Sequence, residues 1–357
     1  MKKRIELIDV AKAITIFLVI MGHTTGNLET PMYRRLLYSF HMPLFFFLAG
    51  LSIKAVPLYS WNDWRHFLRK NIRAIVVPYF IWGLIYAAFS FKNIGYLFYG
   101  SWAALGSMGT LTSLWYLSCL FIARVLIQIV ISAVNIPFKK NPPNQAIYGV
   151  SGLVMIATGL FLPYIEGGYL WCADVAFVAG GIILLGISLR RQILIFAQQK
   201  TLVLFLSFIV SLVLFYFGTV FRGDALDLSL MCGSRYGNKF WFLYTSLFGS
   251  LTVLAFSMIL CRIAREGARP FSVSAVTYIG QRTMGIFLIH KNFLAMLIMP
   301  FTKKIFPEET PILLIVFAAS CVALIISIIL CKIIERYMPQ LLGQFPNEYK
   351  NENHPAK

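Results

Sequence analysis

The sequence predicts an all-α membrane protein, a polytopic bundle of about ten transmembrane helices with both termini in the cytoplasm. Composition is the first reason. Of 357 residues, 59% are hydrophobic and 13% charged, with a mean hydropathy of +0.74. Soluble domains carry about 25% charged residues, so this chain has too little polar surface to cover a soluble globule. The second reason is length. Apolar stretches of about 17–25 residues recur along the chain, which is what a helix needs to cross a ~30 Å hydrocarbon layer. The third is charge placement. With the N-terminus inside, 21 of the 32 lysines and arginines fall on the inner side and 8 on the outer, and reversing the orientation reverses that bias. Helices satisfy their own backbone polar groups, which lipid cannot do, and the alternation of a β-barrel is absent.

Taken in order, the expected spans are 5–25, 38–54, 74–91, 111–134, 147–165, 169–189, 201–219, 240–261, 275–299 and 311–333. The first follows the basic Met1–Arg4 segment. His23 and Asn27 stand where a small-residue cleavage site would be, so an uncleaved helix is expected rather than a signal peptide. Between spans two and three, residues 60–73 read as a short interfacial helix. Arg65, Arg69 and Arg73 repeat at four-residue intervals on one side, with Trp61, Trp64 and Leu68 on another. Attraction to anionic headgroups accounts for such a stripe; a clamp for phosphates is the functional alternative. Residues 220–239 form the longest outer loop. Residues 1–336 read as one transmembrane domain and 337–357 as a polar cytoplasmic tail expected to be disordered.

The net charge of +18 would point to nucleic acid in a soluble protein; here it follows the topology. The six cysteines form no CxxC pair and no zinc spacing, so neither disulfides nor a metal site is expected.

Ionisable residues inside spans are costly and face a cavity or a partner. The first span holds Asp9, Lys12 and His23. Lys12 and His23 are 11 residues apart, an offset of about 20° that puts them on one face, roughly 16 Å apart along the axis. Asp9 lies one turn from Lys12 and can pair with it. Lys12 and Asp9 also suit a topology anchor at the inner interface, and a helix-end histidine is by itself more often an interface residue. An imidazole can nevertheless accept a proton near neutral pH, as a hydroxyl attacking an ester requires. His41 opens span two on the same side as His23, with Pro43 suited to a first helical turn. Arg124, Arg282, His290 and Lys291 lie in later spans.

Taken together, these residues resemble acyltransferase family 3, the membrane-bound sugar O-acyltransferases, and most closely the branch related to fucose 4-O-acetylase. Lys12 and His23 match the family's spacing of a basic residue, ten residues and a histidine. Ser39-Phe40-His41-Met42-Pro43 running to Ala49-Gly50 is the most specific stretch. Lys70 and Arg73 with Pro78-Tyr79, Leu114-Trp115-Tyr116-Leu117, Tyr236-Gly237-Asn238, and Tyr278-Ile279-Gly280-Gln281-Arg282-Thr283 leading to His290 follow in the family's order over about 5–335. Lys12 stands where the family has arginine, Lys70 and Arg73 where it often has two arginines, and Gln281-Arg282 where Lys-Asn is common. Lysine keeps the charge but loses the bidentate fork.

The resemblance implies acetyl transfer from cytoplasmic acetyl-CoA, with no permanently bound cofactor, to a sugar hydroxyl of a cell-envelope or extracellular polysaccharide or its lipid-linked precursor. It implies a bacterial inner-membrane enzyme with His23 at the chemistry, supported by Lys12, Asp9 and His41. Arg69, Lys70 and Arg73 are expected to hold the donor. Trp115, Tyr116, Asp227, Tyr236, Asn238, Arg282 and His290 are expected on the substrate. The alternative class is a secondary transporter or flippase for a glycan-related substrate. Paired halves, a frequent mark of transporters, are not visible.

Overall fold

A computed structural model describes residues 5–24, 31–87, 94–107, 111–138, 144–221, 231–266, 271–291, 296–307 and 309–345. Among these residues the chain is helical, without strands. The first half contains α1 (Glu6–Thr24), α2 (Pro31–Tyr38), α3 (His41–Ser52), α4 (Trp61–Asn71) and α5 (Val77–Ala87), the last entered through a π-type turn over Ile72–Val76. Short α6 (Ile94–Tyr99) and α7 (Trp102–Ser107) precede α8 (Trp115–Asn135). The second half continues with α9 (Ala146–Phe161), α10 (Ala173–Phe196), α11 (Thr201–Val220), α12 (Lys239–Glu266), α13 (Phe271–Gln281), α14 (Thr283–Ile289), α15 (Met296–Ile305) and α16 (Ile312–Tyr337).

Six of these, α1, α8, α10, α11, α12 and α16, are long and apolar enough to cross a membrane, counting the lead-in turns of α8 and α10. The other four expected spans fall on shorter or interrupted helices. Span two is the 12-residue α3, preceded by the separate α2. The Ser39-Phe40 turn divides them, and Pro43 sits in the first turn of α3, where its missing N–H costs nothing. Span nine, expected as one helix over 275–299, breaks at Arg282, whose φ of −110° and ψ of 13° are not helical. The physical reason is a competing set of partners. The Arg282 guanidinium is drawn to Glu335 on α16, 2.9 Å away, and packs over the Tyr278 ring at 3.6 Å.

α10 sits at the centre, packed against α9, α3 and α8, while α1 packs on α13, α12, α16 and α3. Small residues let these backbones meet. A Cβ on Gly50 of α3 would lie 2.1 Å from the Ile183 carbonyl of α10, and one on Gly280 of α13 would lie 1.8 Å from the Asp9 carbonyl of α1. Residues 60–73 do form a short helix. Ser60 and Asp63 close a reciprocal capping box at its start, and hydrogen bonding to the carboxyl from Ser60, by its side chain first and its backbone N–H second, holds Asp63 below the usual carboxylate range.

The stretch from 337, expected to be loose, is built in its first part. Pro339–Leu342 forms a 3₁₀ turn, Leu342 is buried, and Trp82 Nε1 donates to the Leu341 carbonyl at 2.8 Å. Leu341 and Leu342 explain this: they are two apolar residues in a polar stretch, and they dock on α5. Residues 346–357 lie outside the described set.

Candidate active site

α1 runs unbroken through both groups of ionisable residues, so it carries Lys12 near one end of the bundle and His23 near the other. At the Lys12 end, Lys12 Nζ donates to Ser52 Oγ of α3 at 3.1 Å. Asp9, 9% exposed, accepts from Gln281 Nε2 at 3.4 Å. Asp9 and Lys12 thus each make an interhelical bond. They tie α1 to α3 and to α13, and the close approach at Gly280 brings Gln281 within reach. Arg282 belongs to this end too. Its Nε and a terminal nitrogen both meet Glu335 Oε2 at 2.9 Å.

At the other end three histidines from three distant segments converge. The His23 ring lies 5.2 Å from that of His290, centroid to centroid. Tyr38 stands between His23 and His41, its ring 6.4 Å from the first and 5.1 Å from the second. Arg34, whose guanidinium lies 5.7 Å from the Tyr38 ring centroid, and Lys291 are close enough for their charges to act on His23. His290 is fully buried where α14 ends. Its Nδ1 lies 2.9 Å from the Phe287 carbonyl and 3.1 Å from that of Ile286. A carbonyl only accepts, so the proton sits on Nδ1 and Nε2 is left as an acceptor. That Nε2 is buried and has no hydrogen-bond partner among the described residues. His41 is fixed likewise, its Nδ1 on the Leu37 carbonyl. Two imidazoles, each with Nδ1 fixed on a carbonyl, therefore flank half-buried His23.

Beneath them is an aromatic wall. Phe287 lies 5.7 Å from His290 and 5.0 Å from Tyr116, which in turn packs on Phe46 at 5.2 Å. Trp115 is buried beside it. Trp115 and Tyr116, expected on the substrate, thus reach the histidines through the Phe287 ring.

The remaining expected residues divide. Tyr236 is buried against Phe242 at 4.8 Å. Asn238 is exposed, and its side-chain oxygen accepts from the Phe240 and Trp241 amides at 3.0 and 3.3 Å, which makes it the cap of α12. Arg69 and Lys70 are exposed on α4, and Arg73 is half-buried with its guanidinium 5.5 Å from the Phe345 ring. Asp227 lies outside the described residues. Tyr38, Arg34 and Cys232 were not singled out from sequence. Burial pushes the Cys232 thiol up to about 12, so it presents a neutral wall beside Lys291. Tyr38 had a local signal, three residues before His41 with Arg34 one turn earlier on the same helix.

Polar groups at the two ends of one helix, with an imidazole at one of them, suit a transfer between reactants arriving from opposite sides. The family pattern described as an acyltransferase domain matches residues 5–332. The chain belongs to that acyltransferase family and is a multi-pass helical membrane protein. No curated protein and no solved structure matches it significantly.

Proposed function

We propose that this acyltransferase moves an acetyl group from acetyl-CoA, bound at the Lys12 end of the bundle, to a hydroxyl of a cell-envelope sugar bound at the His23 end. The convergence of His23 with His290 and His41, on the same helix as Lys12 but roughly 16 Å away along it, carries the reading. Sugar as acceptor, the fucose 4-O-acetylase-like branch, the bacterial inner membrane and the inside placement of both termini are parts of this proposal. Positive charge between the spans supports the orientation.

In the proposed reaction the diphosphate of the donor stays with Arg69, Lys70 and Arg73, whose cations suit phosphate. The pantetheine arm passes Lys12 and Ser52 and presents the thioester to His23. The acceptor oxygen attacks the acetyl carbon, a C–O bond forms and the C–S bond breaks. His23 takes the hydroxyl proton and returns it to the departing sulfur, giving the O-acetyl sugar and free CoA. In the covalent variant the acetyl group rests on His23 first. Labelled acetyl retained on the protein without acceptor distinguishes that route. His290 and His41, each with Nδ1 on a carbonyl, offer acceptor nitrogens that hold His23 or the hydroxyl in line. The wall of half-buried Tyr116 and buried Phe287 keeps water from the thioester.

The test uses inside-out vesicles and labelled acetyl-CoA, with wild type and His23→Ala at matched expression. Base-labile label in the glycan or lipid-linked sugar fraction is expected in the wild type and absent from the variant. Full transfer by His23→Ala would overturn the mechanism. Uptake of a glycan substrate without consumption of acetyl-CoA would return the protein to the transporter class.

A further inference from the structure

One cleft lies beside the histidines without belonging to them. It opens among three segments, 101–103, 164–172 and 232–235, with Asp174 in its lining. Cys232 is shared ground. It lines the cleft, and Lys291, whose charge also acts on His23, acts on its thiol. The unfilled space is about 440 Å³ with the open mouth included, of which about 50 Å³ has room for water-sized groups. That accessible part is well below the ~300–1,000 Å³ of sites that enclose a whole small molecule. The enclosed part admits the hydroxyl-bearing edge of a ring rather than a whole ring.

Its chemistry is unusual for this bundle. Asp174 is 7% exposed on the first turn of α10, inside an apolar span. Among the described residues it makes no ion pair; its oxygen accepts the Ser234 hydroxyl. The positive end of α10 eases the charge, but a carboxylate this buried ordinarily has further donors. Tyr164, 68% exposed, and half-buried Tyr169 form one lip, and Arg235 reaches over Trp102 with 5.8 Å to the ring centroid.

The walls are also fixed in advance. Tyr99 and Ser101 donate to the carbonyls of Gly168 and Gly167 at 2.8 and 2.6 Å, and Tyr169 to that of Pro163 at 2.9 Å. The non-glycine residues with left-handed backbone among the described ones are Trp171, Cys172 and Ser234, with φ of 52°, 51° and 54°. Cys172 lines the cleft; Trp171 and Ser234 are chain neighbours of residues that do. Strain of this kind persists where surrounding structure holds it and gathers at binding sites.

We infer that this cleft is the acceptor subsite, holding a neutral pyranose ring with one C–H face on Tyr164 and hydroxyls donating to Asp174 and accepting from Arg235. The aromatic face, the buried carboxylate of the cleft and the small enclosed volume each fit that chemistry. The inference rests on the proposed function for the word acceptor; Cys232 of the lining and His23 share Lys291 as a charged neighbour.

Binding is tested apart from catalysis. The full chain is placed in lipid nanodiscs, avoiding sugar detergents. Saturation-transfer difference NMR is recorded with the methyl glycosides of glucose, galactose, mannose, fucose and N-acetylglucosamine. At least one should receive saturation, concentrated on the C–H protons of one ring face. Asp174→Asn, which keeps an acceptor for Ser234, should weaken it about tenfold, the worth of one hydrogen bond to a charged group, and Tyr164→Ala, at an exposed position that leaves folding intact, should weaken it by about three- to tenfold through the lost aromatic face. No saturation of any glycoside in the wild type, or equal saturation in both variants, overturns the subsite. Binding as expected without acetyl transfer to the bound glycoside would instead sink the acyl-transfer reading and leave the subsite standing.

Discussion

The arrangement of His290 makes a sharp prediction about His23. Its Nδ1 is committed to two carbonyls, and its buried Nε2 lacks a partner among the described residues. The nearest imidazole is His23, with ring centroids 5.2 Å apart. Five-membered rings at that separation can bring nitrogens into the range of a hydrogen bond, about 2.7–3.2 Å. During transfer His23 gains a proton and becomes a cation. A bond from that cation to His290 Nε2 is then charge-assisted, worth about 1.5–3 kcal/mol, or roughly 10–150-fold in rate. His23→Ala should lose the whole acid–base contribution, about 10²–10⁴-fold. The two effects act through one proton and should not multiply. The double variant His23→Ala/His290→Ala should transfer label within about threefold of His23→Ala alone, and His290→Gln, which keeps an acceptor, should recover part of the single loss. The assay is the initial rate of labelled acetyl transfer in vesicles at matched expression. A product of the two single losses in the double variant, or a loss below about twofold in His290→Ala, would refute the argument.

Three further outcomes follow from the same geometry. Gly280→Ala places a methyl 1.8 Å from the Asp9 carbonyl, where only backbone can yield. It should cost about 1–3 kcal/mol or more by the measure of overpacked cores, read as a lowered unfolding temperature in detergent, whereas Gly95→Ala, which meets nothing within 4 Å, should leave it unchanged. Glu335→Gln removes the anion on which two Arg282 nitrogens close at 2.9 Å. Stranding the half-buried guanidinium should cost about 1–3 kcal/mol, and hydrogen exchange should show the 281–284 break opening first. In the α4 cap the Asp63 carboxyl is held low by Ser60. A folded value below the unfolded one means the capping contribution is present above the unfolded value and is lost as pH falls through the folded one. Amide protection at the start of α4 should therefore weaken at acid pH in the wild type and already at neutral pH in Ser60→Ala.

Much of the bundle was readable because lipid imposes a strong one-dimensional signal. Length and hydropathy located α1, α8, α10, α11, α12 and α16, and the capped basic helix at 60–73 was found from its stripes. The broken span at Arg282 was not, because its cause is Glu335, 53 residues on, and hydropathy cannot see a tertiary ion pair. The same limit hid the site. Helical spacing put Lys12 and His23 on one face of α1, but no local pattern joins residue 23 to residue 290; only resemblance to a family placed them in one order. Asp174 did have a signal, a lone carboxylate inside an apolar stretch, obscured by counting basic residues alone.

The two ends of α1 differ in a way that bears on direction. At the Lys12 end the polar groups of α1 are bonded across helices, Lys12 to Ser52 and Asp9 to Gln281, and the neighbouring guanidinium of Arg282 is closed on Glu335. On the proposed reading that end holds helices in register, while the donor is gripped elsewhere by Arg69, Lys70 and Arg73. At the His23 end the imidazoles of His41 and His290 have Nδ1 secured, and the Nε2 of His290 is unpartnered among the described residues. Cations from Arg34 and Lys291 stand by. An acceptor nitrogen held ready in a buried pocket is costly unless something else brings a donor. In a transfer whose hydroxyl must lose a proton, that something is the acceptor or the protonated His23. The asymmetry therefore supports the proposed reading, with bond-making at the histidine end and the lysine end left to carry the donor past.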